Sequence, residues 1–468
     1  MPTPLPDRRT TRIDLAVLGV ATVALRLPAY VADRHLTFDD GVYGASAVAM
    51  RAGGVPFRDV FSSQGPLFLP LVWLADLAGL RTANAPRLLG LAAALLVAGA
   101  TYLAGRAVSD RAGGLLAAGL VTTAGSVLWV TGPVASDGIA IAFATLTVLL
   151  TLRWRHQVTP WRAVALGLGV GATVSVKALL APVIVPVALV LLASRRAGLV
   201  ALAAGTSMAF HFSLWLPFGP AEVWEQAFGY HLDVAGDRTP GANLAKVLST
   251  AGDRDALVLA ATMLALAAGA ARRGSAQRAW WRDLRSPDLL LLGWLGAIAV
   301  VLLAEHPMWR PHVSQLVPPL AILAARHRPP WQALAAAAVL LVPYHLVHVW
   351  DILHPAGYRT DTVAAMDILR DLPRGALAMS DDPGVVWRAG LRTPPDLVDA
   401  SVLRLESGNL TAADIAAAAA EPEVCAVVVR SRARWGSLPD LPARLAAAGF
   451  EVVLDDGPGD RTYVDPSC

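Results

Sequence analysis

The chain has 468 residues, 55% of them hydrophobic and only 16% charged, and its mean hydropathy is +0.51. The apolar residues come in blocks about as long as a bilayer is thick, roughly 20 residues, which excludes an ordinary soluble fold and points to a polytopic membrane protein. A formal net charge of +3, dispersed along the chain, excludes a nucleic-acid binder.

In chain order the apolar blocks fall near 13–31, 66–80, 85–105, 112–131, 134–153, 162–176, 178–193, 198–217, 255–271, 287–304, 312–325 and 331–349. The first lacks a small-residue cleavage site and reads as an anchor. The basic connections are Arg8/Arg9/Arg12, Arg106/Arg111, Arg153/Arg155/Arg162, Arg195/Arg196, Arg272/Arg273/Arg278/Arg282/Arg285 and Arg326/Arg328. The positive-inside rule puts all of them in the cytoplasm. That requires one block between 31 and 105 to stay uncrossed.

The block 66–80, PLFLPLVWLADLAGL, is short, interrupted by proline, and carries Asp76. An ionised Asp at mid-helix depth costs about 2.5–3.5 kcal/mol. An interfacial or re-entrant helix is therefore expected there. Eleven spans follow, with a cytoplasmic N-terminus and a first outer loop over about 32–84. Residues 218–254, 305–311 and everything past 350 then lie outside, which divides the chain into a membrane domain over 1–350 and a soluble domain over 351–468.

In the tail, short β-rich runs (ALAMS at 376–380, CAVVVR at 425–430, FEVVL at 450–454) alternate with helical stretches such as TAADIAAAAA and LPARLAAAG. A small extracytoplasmic α/β domain is the expected result. Asn409-Leu410-Thr411 matches a glycosylation sequon but reads most simply as a helix N-cap. Cys425 and Cys468 are too few for a disulfide framework. Lys177 and Lys246 are the only lysines, in keeping with a coding bias toward arginine and alanine.

Polar residues gather at the outer ends of the blocks: Asp39, Asp40, Arg58, Asp59, Gln64, Ser136, Asp137, Glu305, His306, Trp309, Arg310 and His312. A transporter would place ionisable groups and helix breaks near the midplane. A rim cluster suits an enzyme that takes a lipid-anchored substrate from the outer leaflet. A lipid or solute transporter, and a catalytically silent assembly or lipid-binding protein, stand as the competing readings. Taken alone, Asp39 is as well explained as an N-cap for a helix over 41–52. Ser136-Asp137 can likewise cap the span it begins. Arg58, Arg310 and His312 suit a phosphate, and equally suit snorkelling or headgroup contact. Lys177, at an outer turn, competes for the phosphate. Asp253-Arg254-Asp255 matches the metal-binding Asp-x-Asp of nucleotide-sugar enzymes, but three letters are weak and a charge cluster ahead of a helix explains it. His306 and His312 lack a third ligand at metal-site spacing. With no Walker loop, no nucleotide cofactor is expected.

The stretch FDDGVYGASAVAMRAGGVPFRDVFSSQGPL resembles the first outer loop of the GT-C membrane glycosyltransferases, such as the protein O-mannosyltransferases and the lipid A aminoarabinose transferases. That loop carries an acidic pair, a tyrosine soon after, a Gly-x-x-Tyr/Phe-x-Asp turn and a Pro-Pro-Leu or similar. Here these are Asp39-Asp40, Tyr43, Gly54-Val55-Pro56-Phe57-Arg58-Asp59 and Gly65-Pro66-Leu67. The likeness continues through Ala85-Pro86-Arg87-Leu88, Ala135-Ser136-Asp137 and the basic-aromatic turn before 312–325. It implies an inverting transfer of a sugar from a polyprenyl phosphate to a hydroxyl of a glycan, glycolipid or protein. Phosphate is already a good leaving group, so a base and groups that hold the phosphate are what the chemistry needs. The resemblance makes Asp39 the base and has Asp40 orient the acceptor or the loop. Tyr43 and Asp59 would orient loop or acceptor, and Asp137 would lie near the donor sugar. Arg58, Lys177, Arg310 and His312 are the phosphate candidates. Two departures stand out: Asp40 replaces the usual Glu, and Gln64-Gly65 replaces the Lys or His before Pro-Pro-Leu. The family's members differ in metal dependence, so a divalent cation is left open.

Overall fold

A computed structural model describes residues 8–234, 239–272, 283–457 and 459–468. Arg273, Arg278 and Arg282 lie outside the described residues.

Helix α1 (Arg8–Val31) leads into an amphipathic helix α2 (Phe38–Arg51) and a short apolar helix α3 (Phe68–Ala78). At 1.5 Å per residue the 11 residues of α3 reach only about 16 Å, too short to cross. Asp76 on it is buried against Arg51, with contacts of 2.5 and 2.9 Å. The charge that argued against crossing is thus neutralised by the neighbouring helix.

A tight turn at Ala85–Arg87 starts α4 (Leu88–Val108), which packs against α5 (Arg111–Thr123). The pair is close because small residues face each other: a Cβ on Gly105 would sit 3.0 Å from the Gly114 Cα. Helix α5 bends by 63° into α6 (Gly125–Thr131). Then follow α7 (Ser136–Trp154), α8 (Pro160–Val176), a 3₁₀ turn over Ala178–Val183 with α9 (Ile184–Ala193), and α10 (Ala197–Ser213). Short helices α11 (Pro220–Trp224) and α12 (Tyr230–Asp233) follow.

Helix α13 (Pro240–Arg272) starts well before the apolar block at 255, and non-helical backbone at Asp255 kinks it. The Asp253-Arg254-Asp255 cluster therefore lies inside the helix, where the Asp255 carboxylate accepts from the Ser126 N–H at the α5–α6 bend. Helix α14 (Pro287–Ala304), a 3₁₀ turn over Arg310–Leu316 with α15 (Val317–His327), and α16 (Trp331–Leu353) complete the bundle. Six described helices are long and apolar enough to cross a membrane, or seven if the bent α5–α6 pair is one span. Charge at the end holding the start of α1 is paired internally, with Arg111 on Asp14 (2.8 Å) and His327 on Asp288 (3.0 Å).

The tail holds α17 (Thr360–Arg370), β1 (Leu377–Ser380), α18 (Pro383–Ala389), α19 (Val402–Glu406), α20 (Ala412–Ala419), β2 (Val424–Val429), α21 (Leu441–Ala447), β3 (Glu451–Asp455) and β4 (Arg461–Val464). The strands form one sheet in the order β1-β2-β4-β3, with β1 parallel to β2 and the other pairs antiparallel. Apolar β1 and β2 are buried on both faces, as a parallel pair covered by helices must be. Strand β4 is an addition to the three runs legible in the sequence. Thr411 caps α20 through a reciprocal box with Asp414, as its place in the sequence suggests. The two cysteines do pair: Cys425–Cys468 ties the end of the chain to β2.

This unit sits directly on the first loop. On α2, Gly41 lies so near the Gly384 backbone that an added Cβ would stand 2.7 Å from it. A Cβ on Gly44 would stand 2.3 Å from the Trp387 ring. Only glycine at these two positions lets α18 lie on α2. Around this seam His35 meets Asp382 (3.1 Å) and Tyr358 (2.7 Å), Phe61 N–H donates to the Pro395 carbonyl (3.2 Å), and the Arg404 guanidinium stacks on Phe61 (3.7 Å).

Candidate active site

Helix α2 begins at Thr37, whose hydroxyl accepts from the Asp40 N–H (3.1 Å). Thr37, not Asp39, is the N-cap, so Asp39 is released from the structural role its sequence context offered. The two adjacent acids then face opposite ways. Asp40 turns inward onto Arg87, 2.6 Å away, with both side chains fully buried. It also accepts from the Leu36 (2.9 Å) and Val134 (3.0 Å) N–H groups. Burial alone would raise its pKa, but Arg87 and these donors hold it below the usual carboxylate range. Arg87 in turn caps the end of α1 through the Ala29 and Ala32 carbonyls. Asp40 thus ties the first loop to the bundle and does not line the cavity.

Asp39 opens into a cavity of about 960 Å³ walled by the first loop, the bundle, the α11–α12 segment and the C-terminal unit. Among the described residues it has no ion-pair partner. Burial raises its pKa to about 6; Lys177 pulls it down, while Asp137 and Asp399 push it further up. A carboxylate of that strength is largely ionised at neutral pH and more basic than a solvated one. Tyr43, one turn on, also lines the cavity, and its hydroxyl is pushed well up by burial and by Asp39.

One wall is a continuous polar chain. Ser63 donates to Asp399 (2.8 Å), Gln64 to Ser63 (3.3 Å) and Ser136 to Gln64 (2.8 Å). Lys177 reaches Ser136 (3.4 Å) and pairs with Asp137 (2.7 Å). The His312 ring lies 3.8 Å from Asp137 on one side and 2.5 Å from Glu305 on the other. Local backbone sets this up. Gly65 N–H donates to the Val176 carbonyl and Leu67 N–H to the Ser175 carbonyl, pinning the loop to the end of α8 just ahead of Lys177. A Cβ on Gly65 would stand 2.2 Å from the Ser175 oxygen, so the approach needs glycine.

Of the residues singled out in the sequence, the structure gathers Asp39, Tyr43, Gln64, Asp137, Lys177, Arg310 and His312 in this cavity. Asp40, Arg58 and Asp59 are not in its lining. Asp59 closes a turn, accepting from the Val55 N–H (2.8 Å), and Arg58 is exposed beside it. Lys177 is linked to Gln64 through the Ser136 hydroxyl.

Several lining residues escaped the sequence reading. Lys246 donates to the Met308 carbonyl (2.5 Å) with its ammonium over Trp309, and Arg254 lies 4.3 Å over Trp129. Together with Arg310 they make a basic, aromatic end. Both lysines of the chain therefore line one cavity, and their rarity was the signal available. Ser63, Tyr230, His231, Asp399 and Arg434 had none. Trp129, Leu179, Trp224, Phe228 and Leu232 give the cavity an apolar side. Among the described residues no group of three or more His, Cys, Asp or Glu gathers at metal-binding range.

The chain has the fold of the GT-C membrane glycosyltransferases. Among solved structures it is similar to ArnT from Cupriavidus metallidurans bound to undecaprenyl phosphate, with a TM-score of 0.64 and 15% identity over 98% of either chain. It is also similar to the Archaeoglobus fulgidus oligosaccharyltransferase tethered with an acceptor peptide, with a TM-score of 0.58 and 13% identity over 98% of this chain and 74% of that one. The same archaeal enzyme, AglB, in complex with an inhibitory peptide and a dolichol-phosphate gives 0.55 and 13% over 97% and 74%. No family model and no curated protein matches the sequence.

Proposed function

We propose that the chain is an inverting membrane glycosyltransferase that moves a sugar from a polyprenyl-phosphate donor to an acceptor hydroxyl, with Asp39 as general base. The observation that carries this reading is one cavity holding an unpaired, weakly acidic Asp39, a set of cations and an apolar side, in a fold whose neighbours hold polyprenyl phosphates. Asp39 takes the proton of the acceptor hydroxyl as its oxygen attacks the anomeric carbon. The bond to phosphate breaks with its electron pair, and the phosphate leaves as an anion. Lys177 beside Gln64, together with Arg310, His312, Lys246 and Arg254, supplies the charge that receives it. The apolar side accommodates the first isoprene units. Asp40 acts through position only, holding α2 and hence Asp39 in register.

In this reading the chain crosses the membrane eleven times, through α1, α4, α5–α6, α7, α8, Ala178–Ala193, α10, α13, α14, Arg310–His327 and α16. The N-terminus is cytoplasmic, and residues 351–468 form an extracytoplasmic domain beside the cavity. The Cys425–Cys468 bond supports that side, since disulfides persist in oxidising compartments. A transfer assay with Asp39→Asn tests the base. Turnover near wild type in a folded protein would sink it.

A further inference from the structure

The C-terminal unit does more than cover the cavity. It contributes Asp399, 3% exposed, to the lining, on the same side as Asp39. One oxygen of Asp399 accepts from Ser63 Oγ and the other from the Ser401 N–H (2.9 Å). A carboxylate offers about four acceptor positions, so two remain for a ligand. Its backbone is fixed, because Arg404 donates to the Asp399 (2.9 Å) and Asp396 (2.7 Å) carbonyls while stacking on Phe61 of the first loop. Among the described residues neither Asp399 nor Asp39 has an ion-pair partner. Tyr43, Tyr230, Ser63 and Ser401 line the same cavity. Along the polar wall Asp399 stands at one end and Lys177 and His312 at the other, with Lys246, Arg254 and Arg310 gathered around Trp129 and Trp309.

The cavity is therefore divided by charge. Two unneutralised carboxylates repel an anion, so a phosphate belongs with the cations. Carboxylates set among tyrosine and serine hydroxyls match a neutral ligand rich in hydroxyl donors. We propose that Asp399, with Ser63, Tyr43 and Tyr230, forms a subsite for the vicinal hydroxyls of a sugar ring, so that the C-terminal unit completes the binding site. The subsite rests on the glycosyltransferase reading only for which sugar fills it, the donor's or the acceptor's.

The test uses the full chain in nanodiscs, with methyl α-mannopyranoside and methyl β-arabinofuranoside as probes in saturation-transfer NMR and decaprenyl phosphate as a separate probe in thermal shift. Wild type is expected to give a glycoside signal. Asp399→Asn and Ser63→Ala are expected to lower it at least fivefold, with the decaprenyl-phosphate shift unchanged. Asp399→Asn is isosteric, and Ser63→Ala leaves the carboxylate in place, so one variant remains if the other does not fold. An unchanged signal in both variants, or no signal from wild type, overturns the subsite. A wild type that binds glycoside but not decaprenyl phosphate leaves the subsite standing and sinks the glycosyltransferase reading. Displacement of the glycoside by decaprenyl phosphomannose assigns the subsite to the donor sugar, and retention assigns it to the acceptor.

Discussion

The Asp40 carboxylate lies 2.6 Å from the Arg87 guanidinium, and neither side chain is reached by solvent. Its neighbour in sequence, Asp39, looks the other way into an open cavity, with no cation paired to it among the described residues. One residue step on a helix turns a side chain by about 100°, which suffices to send one acid to the core and its neighbour to the cavity.

Removing the Asp40 charge should therefore act on folding. Asp40→Ala strands Arg87 in the interior, and breaking one partner of a buried pair costs about 3–5 kcal/mol. A sharp drop in melting temperature and in yield from detergent is expected, and a variant with wild-type stability would remove Asp40 from its anchoring role.

Asp39→Asn should do the opposite. Stability should stay close to wild type, because no partner is lost, while turnover falls by about 10²–10⁴-fold, the usual contribution of a general base. Thermal melting and single-turnover transfer separate the two outcomes.

A pH profile follows from the same group. Because burial raises Asp39 to about 6, its basic form dominates above that pH and is lost below it. In wild type, kcat/KM should be flat near neutrality and fall about tenfold per pH unit below 6. The acid limb should be absent from the residual activity of Asp39→Asn.

Lys177 is expected to serve the donor. Lys177→Met should raise the KM for a polyprenyl-phosphate sugar at least tenfold and leave the acceptor KM within about twofold, since charge-assisted contacts to phosphate are among the stronger hydrogen bonds. Equal changes in both constants would place Lys177 with the framework instead.

The seam between α2 and α18 gives a prediction about architecture. Gly44→Leu drives a side chain into the Trp387 ring, and overpacking of this kind costs about 1–3 kcal/mol. Limited proteolysis should then cut between α16 and α17 faster than in wild type, while decaprenyl-phosphate binding is kept. An unchanged digestion pattern would mean the seam does not hold the C-terminal unit.

Much of this was legible in the chain itself. Apolar blocks mark the bundle because the bilayer demands length and composition, and one misplaced acid, Asp76, marks the helix too short to cross. The first loop advertised Asp39, Tyr43 and Gln64 through local spacing. Lys177 and His312 were visible as charges at the ends of apolar segments. What spacing cannot show is which distant segment folds over the site. Asp399 lies 360 residues after Asp39, on a loop without pattern, and reaches the cavity through the packing of the C-terminal unit on the first loop. Arg58 is the converse case: its motif is a turn signal, and the turn leaves it exposed and outside the cavity lining. Asp39 as a cap was a fair expectation until Thr37, two positions earlier, proved to take that bond.

The bare-backbone contact of Gly41 with Gly384 has a mechanical side. Helix α2 carries Asp39 near one end and meets the C-terminal unit along the same turns, backbone against backbone at Gly41 and against the Trp387 ring at Gly44. A displacement of the C-terminal unit at this seam would therefore be passed straight to the helix that carries Asp39.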